Sequence, residues 1–277
     1  MTDWFTEDAL RQQLSVQTYS VARWHDGQIE QVTDQLAEEV PIALVYNGIS
    51  HAVMLASPQN LEDFALGFSL TEGILQSKHD LYSVDIQTHH NGIALHLEIA
   101  AEQFAHLKLR RRNLAGRTGC GLCGAESLSE VFRLPDDANM RAKTTTPISM
   151  QSVFKAHQAI QPLQQMQLAT GATHACAWAN DVGEIGMLRE DVGRHNALDK
   201  LLGALAKQEQ RGGFIITTSR ASYEMVQKVA MAGFDVISAI SAPTGLAVRI
   251  AEATGITLLG FVRQQQLVAY THAHRMV

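Results

Sequence analysis

Phe214-Ile215-Ile216-Thr217-Thr218, a helix-like stretch over 222–232, Phe234-Asp235-Val236-Ile237-Ser238-Ala239-Ile240, a second helical stretch over 244–254 and Thr257-Leu258-Leu259-Gly260-Phe261-Val262 follow one another near the end of the chain. Short apolar runs rich in branched residues, alternating with helix-length segments, read as β-α-β-α-β. Such units build a parallel sheet with right-handed crossovers, so the fold class is α/β. Just upstream, 173–179 and 184–188 read as strands paired around Asn180-Asp181, and 194–205 as a helix with Leu198, Leu201, Leu202 and Leu205 inward.

Parallel α/β sheets receive ligands beyond the carboxyl ends of their strands. Those positions here are Ser219 and Arg220, Ser241, and Arg263. Helices that start after Arg220 and after Pro243 aim their first NH groups at the same edge, which suits an anion such as a diphosphate. The plainer reading makes Ser219, Ser222 and Thr244 ordinary helix caps.

The first half has a different pattern. Residues 40–55 read as two strands around a tight turn at Asn47-Gly48, followed by a helix with Ser57 as N-cap and Pro58 in its first turn. His89-His90-Asn91-Gly92 reads as a turn between two further strands. From Leu134 to Pro147 the chain is polar and turn-rich, with Pro135, Asp136, Asp137 and Asn139, and reads as a linker. The expected organisation is an N-terminal extension (1–37), a smaller α+β subdomain (38–134), the linker (135–147) and an α/β domain (148–277).

Composition narrows the function. With 277 residues, 46% of them hydrophobic, there is enough apolar surface for a large core or two modest ones. A net charge of -6 gives no global attraction to nucleic acid. No apolar stretch is long enough to span a bilayer, no leader pattern opens the chain, and three cysteines are an odd number. The expected compartment is the reducing cytoplasm.

Two of those cysteines lie in Arg117-Thr118-Gly119-Cys120-Gly121-Leu122-Cys123-Gly124. Glycines beside both sulfurs suit a loop that must carry a thiol between partners. Zinc would need four ligands, and only Cys176 and scattered histidines remain, so no metal site is expected. The run also matches Gly-x-Gly-x-x-Gly, but a dinucleotide fingerprint follows a buried strand, and 110–117 is basic and polar. Dithiol redox chemistry and persulfide carriage remain, helped by a helix expected to begin near Ala125 or Glu126. Lys108-Leu109-Arg110-Arg111-Arg112 is either a solvated helix face or, with Arg117, a holder of phosphates near the thiols. Cys176 reads as a packed strand residue. His174, after the turn at Gly171, is a candidate site group.

The cysteine loop, then Thr170-Gly171-Ala172-Thr173-His174-Ala175, Glu190-Asp191-Val192-Gly193-Arg194-His195-Asn196-Ala197-Leu198-Asp199-Lys200, Ser219-Arg220-Ala221-Ser222-Tyr223-Glu224 and Ser241-Ala242-Pro243-Thr244-Gly245 resemble, in order, the formate dehydrogenase accessory sulfurtransferase family, FdhD. Glu38-Glu39-Val40-Pro41 and Gly67-Phe68-Ser69-Leu70-Thr71-Glu72-Gly73 extend the match.

The resemblance implies a cytoplasmic, homodimeric sulfurtransferase and chaperone. It takes persulfide sulfur from a cysteine desulfurase and delivers it to the molybdenum or tungsten cofactor, as bis(molybdopterin guanine dinucleotide), before insertion into the formate dehydrogenase catalytic subunit. That cofactor is a bound substrate, and no permanently bound cofactor is expected. Cys120 is implied as the persulfide carrier and Cys123 as its assistant, although proximity to the expected helix start favours Cys123 for the lower pKa.

The guanine dinucleotide, or guanosine diphosphate, is implied at Phe261, Val262, Arg263, Gln264, Gln265 and Gln266. Family members often carry a glycine and a basic residue late in that segment, where this chain has Gln265 and Gln266; Arg220 and Arg263 are then the guanidinium contacts. The implied fold of 148–277 is cytidine-deaminase-like. Deamination itself is disfavoured, because Thr173-His174-Ala175 lacks the catalytic glutamate and no Pro-Cys pair occurs. Two other readings of the residues stay open: a cofactor- or enzyme-binding chaperone with structural cysteines, and a dithiol oxidoreductase.

Overall fold

The computed structural model describes Phe5, Leu10 and residues 12–112 and 147–277. The cysteine loop, most of the expected linker and the helix expected near Ala125 lie outside the described residues. The chain begins with an antiparallel ribbon of β1 (Val16–His25) and β2 (Gln28–Ala37). A four-stranded sheet follows, in the order β4-β3-β6-β5, from β3 (Val40–Tyr46), β4 (Ile49–Ala56), β5 (Leu81–His89) and β6 (Gly92–Ile99). Val40, Ile42, Leu44 and Tyr46 alternate with more accessible neighbours, so β3 turns one face to a core shared with helix α1 (Leu61–Thr71). Asn47 (φ 44°) and Gly48 (φ 81°) form the expected tight turn. Helix α2 (Ala101–Arg112) carries the expected basic run at its end.

The second half contains α3 (Met150–Ala159) and α4 (Gln165–Thr170), then β7 (His174–Ala179), β8 (Ile185–Asp191), α5 (Arg194–Lys207), β9 (Phe214–Thr217) and α6 (Tyr223–Met231). β10 (Val236–Ala239), α7 (Gly245–Thr254), β11 (Thr257–Arg263) and β12 (Gln266–Ala269) complete it. The six-stranded sheet has the order β12-β11-β10-β9-β7-β8. β9, β10 and β11 are parallel, as the β-α-β-α-β pattern requires, and all four residues of β9 and of β10 are buried. β7 joins β9 antiparallel and pairs with β8 around Asn180-Asp181, while β12 closes the other edge antiparallel. The sheet is therefore mixed, with an α/β centre compatible with a cytidine-deaminase-like description. Among the described residues, no helix is long and apolar enough to cross a membrane.

Helix α5 joins the two halves. Its Leu198, Leu201, Leu202 and Leu205 are at most 2% exposed and pack under the six-stranded sheet, while its other side crosses α1. The crossing is close because Gly67 and Gly203 face each other: a Cβ on Gly67 would fall inside the Asp199 carbonyl, and one on Gly203 inside the Asp63 carbonyl. Backbone atoms cannot rotate aside as a side chain would. Gly67→Ala is expected to force the helices apart and lower stability by ~1–3 kcal/mol or more, read from the urea midpoint. An unchanged midpoint would show that the helices can separate without loss.

One local expectation fails. Ser57 does not cap α1: the helix starts at Leu61, with Asn60 as N-cap in the left-handed region (φ 53°). Ser57 is fully buried, and all its polar groups are used across the junction. Its NH donates to Asp191 Oδ2 (3.0 Å), its hydroxyl oxygen accepts from Val192 N (3.2 Å), and its carbonyl accepts from Lys200 Nζ (2.8 Å).

Candidate functional site

The carboxyl-end edge of the parallel strands is built from loops that hold one another. Thr218 N donates to Ala175 O (3.0 Å), Ile240 N to Thr217 O (3.2 Å), Thr244 N to Ala221 O (3.0 Å) and Phe261 N to Ser241 O (3.2 Å). Gly260 is required there, since a Cβ would press on Pro243 and Tyr270 (both 2.9 Å). The end of β11 and the turn after it are irregular, with Phe261 in the strand (φ 51°) and Gln264 in the turn (φ 52°) left-handed and the β11–β12 register shifting between Gly260 and Arg263.

This edge holds the described members of the expected site, but in two groups. His174 lines a cleft of about 520 Å³ with His157, Gln161, Gln164, Gln167, Thr173, Thr218 and Ile240. Arg220, Ser241, Phe261, Arg263, Gln264, Gln265 and Gln266, from loops and from the adjoining ends of β11 and β12, form a neighbouring rim that does not line it; Arg263 reaches it through a bond from Nε to Ile240 O (3.4 Å). Val262 is 1% exposed and belongs to the core. Ser219 is 4% exposed; its hydroxyl lies 2.9 Å from Thr217 Oγ1 and donates to Arg220 O (2.9 Å). Of the residues offered as ordinary caps, Thr244 is one, accepting from Ala247 N (3.3 Å). Ser222 instead places its hydroxyl 3.2 Å from His195 Nε2.

Electrostatics make the cleft neutral. Burial, then Arg194 and His195, hold the His174 imidazole below its ordinary pKa. His157 is 7% exposed, with Nε2 2.7 Å from Ser238 Oγ, and burial pushes it down to about 4. The sign follows from proton binding: between its ordinary value near 6.5 and about 4, the unfolded chain takes a proton that the folded chain refuses. Stability is then expected to fall as pH drops, by about 1.4 kcal/mol per unit across that window, and to feel no His157 contribution above it. His157→Gln should flatten the slope of urea midpoint against pH; parallel wild-type and variant slopes would refute the assignment.

Sequence reasoning missed the pair His195 and Glu224, whose Nε2 and Oε2 are 2.8 Å apart at the first turns of α5 and α6. The hydrogen bond from His195 holds the Glu224 carboxyl below the usual range. Both residues stood in quoted motifs, and each opens a helix after a strand, which was the available signal. His157 and Gln164 gave none. Cys176 packs as expected: it is fully buried, and burial pushes its thiol up to about 12.

A family model, FdhD/NarQ, matches residues 37–277. The chain belongs to the FdhD/NarQ family. The match takes in both sheets, the cleft and the 113–146 segment with Cys120 and Cys123. A relative from Cupriavidus necator, named sulfur carrier protein FdhD, is 56% identical over 94% of this chain and 89% of its own length. One from Bordetella petrii with the same name is 51% identical over 88% of this chain and 87% of its own. The crystal structure of a putative formate dehydrogenase accessory protein from Desulfotalea psychrophila has the same fold, with a TM-score of 0.72 at 20% identity over 95% of this chain and 99% of that one.

Proposed function

We propose that this FdhD/NarQ family member is a sulfur carrier serving formate dehydrogenase. Cys120 receives the terminal sulfur of a cysteine desulfurase persulfide and the donor leaves as a thiolate; the Cys123 thiolate then attacks the inner sulfur, closing a Cys120–Cys123 disulfide and expelling the outer sulfur as sulfide to molybdenum held by bis(molybdopterin guanine dinucleotide), and an external thiol reductant restores the pair. The loaded cofactor then goes to the formate dehydrogenase catalytic subunit, and the carrier works as a homodimer in the cytoplasm. The observation that carries this reading is the 56% identity, over almost the whole chain, to a relative named as a sulfur carrier. Two features support it: a glycine-flanked cysteine pair suited to handing over a thiol-bound group, and a strand-end edge where Arg220 and Arg263 are exposed to meet a diphosphate.

Guanosine diphosphate is expected to raise the melting temperature more than adenosine diphosphate at equal concentration, because ligand binding to the folded state alone stabilises it by mass action. Arg220→Ala should reduce the shift. Equal protection by the two nucleotides would remove the guanine-nucleotide part of the reading.

A further inference from the structure

The β1–β2 ribbon belongs to neither half of the molecule. It is a two-stranded sheet of its own, bonded to neither the four-stranded nor the six-stranded sheet. Its cross-strand pairs, from Val16 with Ala37 to His25 with Gln28, give it a length of roughly 33 Å. Its main neighbour is α4, which lies mostly against β2 and meets it around Thr33, Asp34, Gln35 and Ala169. Nearly all of the ribbon precedes residue 37, where the FdhD/NarQ match begins, so it is separate from the sulfur-transfer motifs.

A ribbon of two strands is marginal in water, and further strands are what make such a sheet stable. The fold leaves a place for them. Among the described residues β1 bonds along one edge only, to β2. Its other edge carries none of the proline, lysine or acidic residues that blunt an exposed strand. Large apolar side chains lie open beside it: Trp24 is 67% exposed and Ile29, directly opposite on β2, 62%, while Tyr19 is 44% exposed.

The edge fits a copy of itself. Arg23 and His25 are the only basic residues of β1 and sit together at one end. In an antiparallel pairing centred on Ser20, Val21 or Ala22, both face uncharged residues of the other copy, so no like charges meet. Centred on Val21, the pairing sets Arg23 of one copy against Tyr19 of the other, where a guanidinium gains from an aromatic ring, and sets Trp24 beside Thr18. β2 is the poorer edge: α4 lies against it, and a pairing centred on Val32 would set Glu30 against Asp34.

We infer that β1 pairs antiparallel with β1 of a second copy of this chain, about a two-fold axis at Val21, and that the two ribbons form one four-stranded sheet. Main-chain hydrogen bonds give such an added strand its affinity, and an isologous contact closes on itself and stops at two chains. The inference rests on the homodimer of the proposed function and supplies its surface.

Sedimentation equilibrium on the full-length protein over a series of dilutions tests this. Wild-type protein is expected to be dimeric. Val21→Lys should raise the dimer Kd by about tenfold, because it sets like charges against one another at the axis; Val21→Glu should raise it less, since Arg23 of the other copy stands diagonally across. An equimolar mixture of the two variants should regain wild-type association as a heterodimer, which simple damage to the ribbon does not produce. Wild-type association in Val21→Lys, or a mixture no tighter than the separate variants, would overturn this interface and leave the homodimer standing on some other surface. Wild-type protein that is monomeric at every concentration would overturn the interface and the homodimer together. Sulfur loading on Cys120, measured on the same samples, decides the carrier role independently of either.

Discussion

Lys200→Met is expected to destabilise the protein by ~3–5 kcal/mol, because it strands a buried carboxylate. Lys200 and Asp191 side chains are both 0% exposed, and Nζ lies 2.6 Å from Asp191 Oδ2. The carboxylate also accepts from Ser57 N (3.0 Å), Gly193 N (2.8 Å) and Asn196 Nδ2 (3.1 Å). These donors orient the charge but do not neutralise it. Burial pulls the Lys200 ammonium down from its ordinary value, against the pull of Asp191, and the ammonium's bond to Ser57 O ties α5 to the chain entering α1.

Methionine preserves the length of the side chain and removes the charge, so the loss measured by urea unfolding reports electrostatics more than packing. Adding Asp191→Leu should recover part of the loss, since no buried charge is then left unpaired. A single variant within about 1 kcal/mol of wild type would mean that water reaches Asp191.

The second large effect is chemical. Cys120→Ala is expected to abolish sulfur loading: after incubation with a cysteine desulfurase and cysteine, wild-type protein should gain the mass of one sulfur atom on Cys120, and the variant none. Cys123→Ala should still load but deliver sulfur poorly. Cys176 provides an internal control, because a fully buried thiol pushed up to about 12 is neither accessible nor ionised at neutral pH. Its peptide is expected to stay unmodified throughout. Loading that survives in Cys120→Ala and vanishes in Cys123→Ala would move the carrier role to Cys123, as proximity to the expected helix start suggests.

The buried charge network extends beyond one pair. Lys228 Nζ donates to Thr71 Oγ1, to Glu72 Oε1 and to both Asp199 oxygens, each at 3.0 Å, and sits 5.5 Å from the centre of the Phe68 ring. Burial pulls that ammonium down, but Asp199 and Glu72 outweigh it and keep it charged. Asp63 receives two bonds from the Arg189 guanidinium, at 2.9 and 2.8 Å. The contacts to Thr71, Glu72, Phe68 and Asp63 join α1 or its end to the second half of the chain, and those to Asp199 join α6 to α5. A sequence reading sees Asp191, Asp199, Lys200 and Lys228 as helix and strand charges with no visible partner.

The sequence by itself determined the elements and their local order. Periodicity placed β9, α6, β10, α7 and β11; Asn47-Gly48 and Asn180-Asp181 placed two hairpins; burial of Cys176 followed from an apolar strand. These features depend on neighbours a few positions apart, so local sterics and hydrophobic patterning carry them. Ordered motifs across the chain also carried the family. Only the tertiary structure decided that Ser57 serves Asp191 rather than a helix start, because those residues are 134 positions apart. It likewise decided that His174 shares a charge-free cleft with Gln161 and Gln164 while Arg220 and Arg263 stay on the rim. Such groupings arise when sheet and helices pack and long loops close, and no local pattern records which side chains then meet.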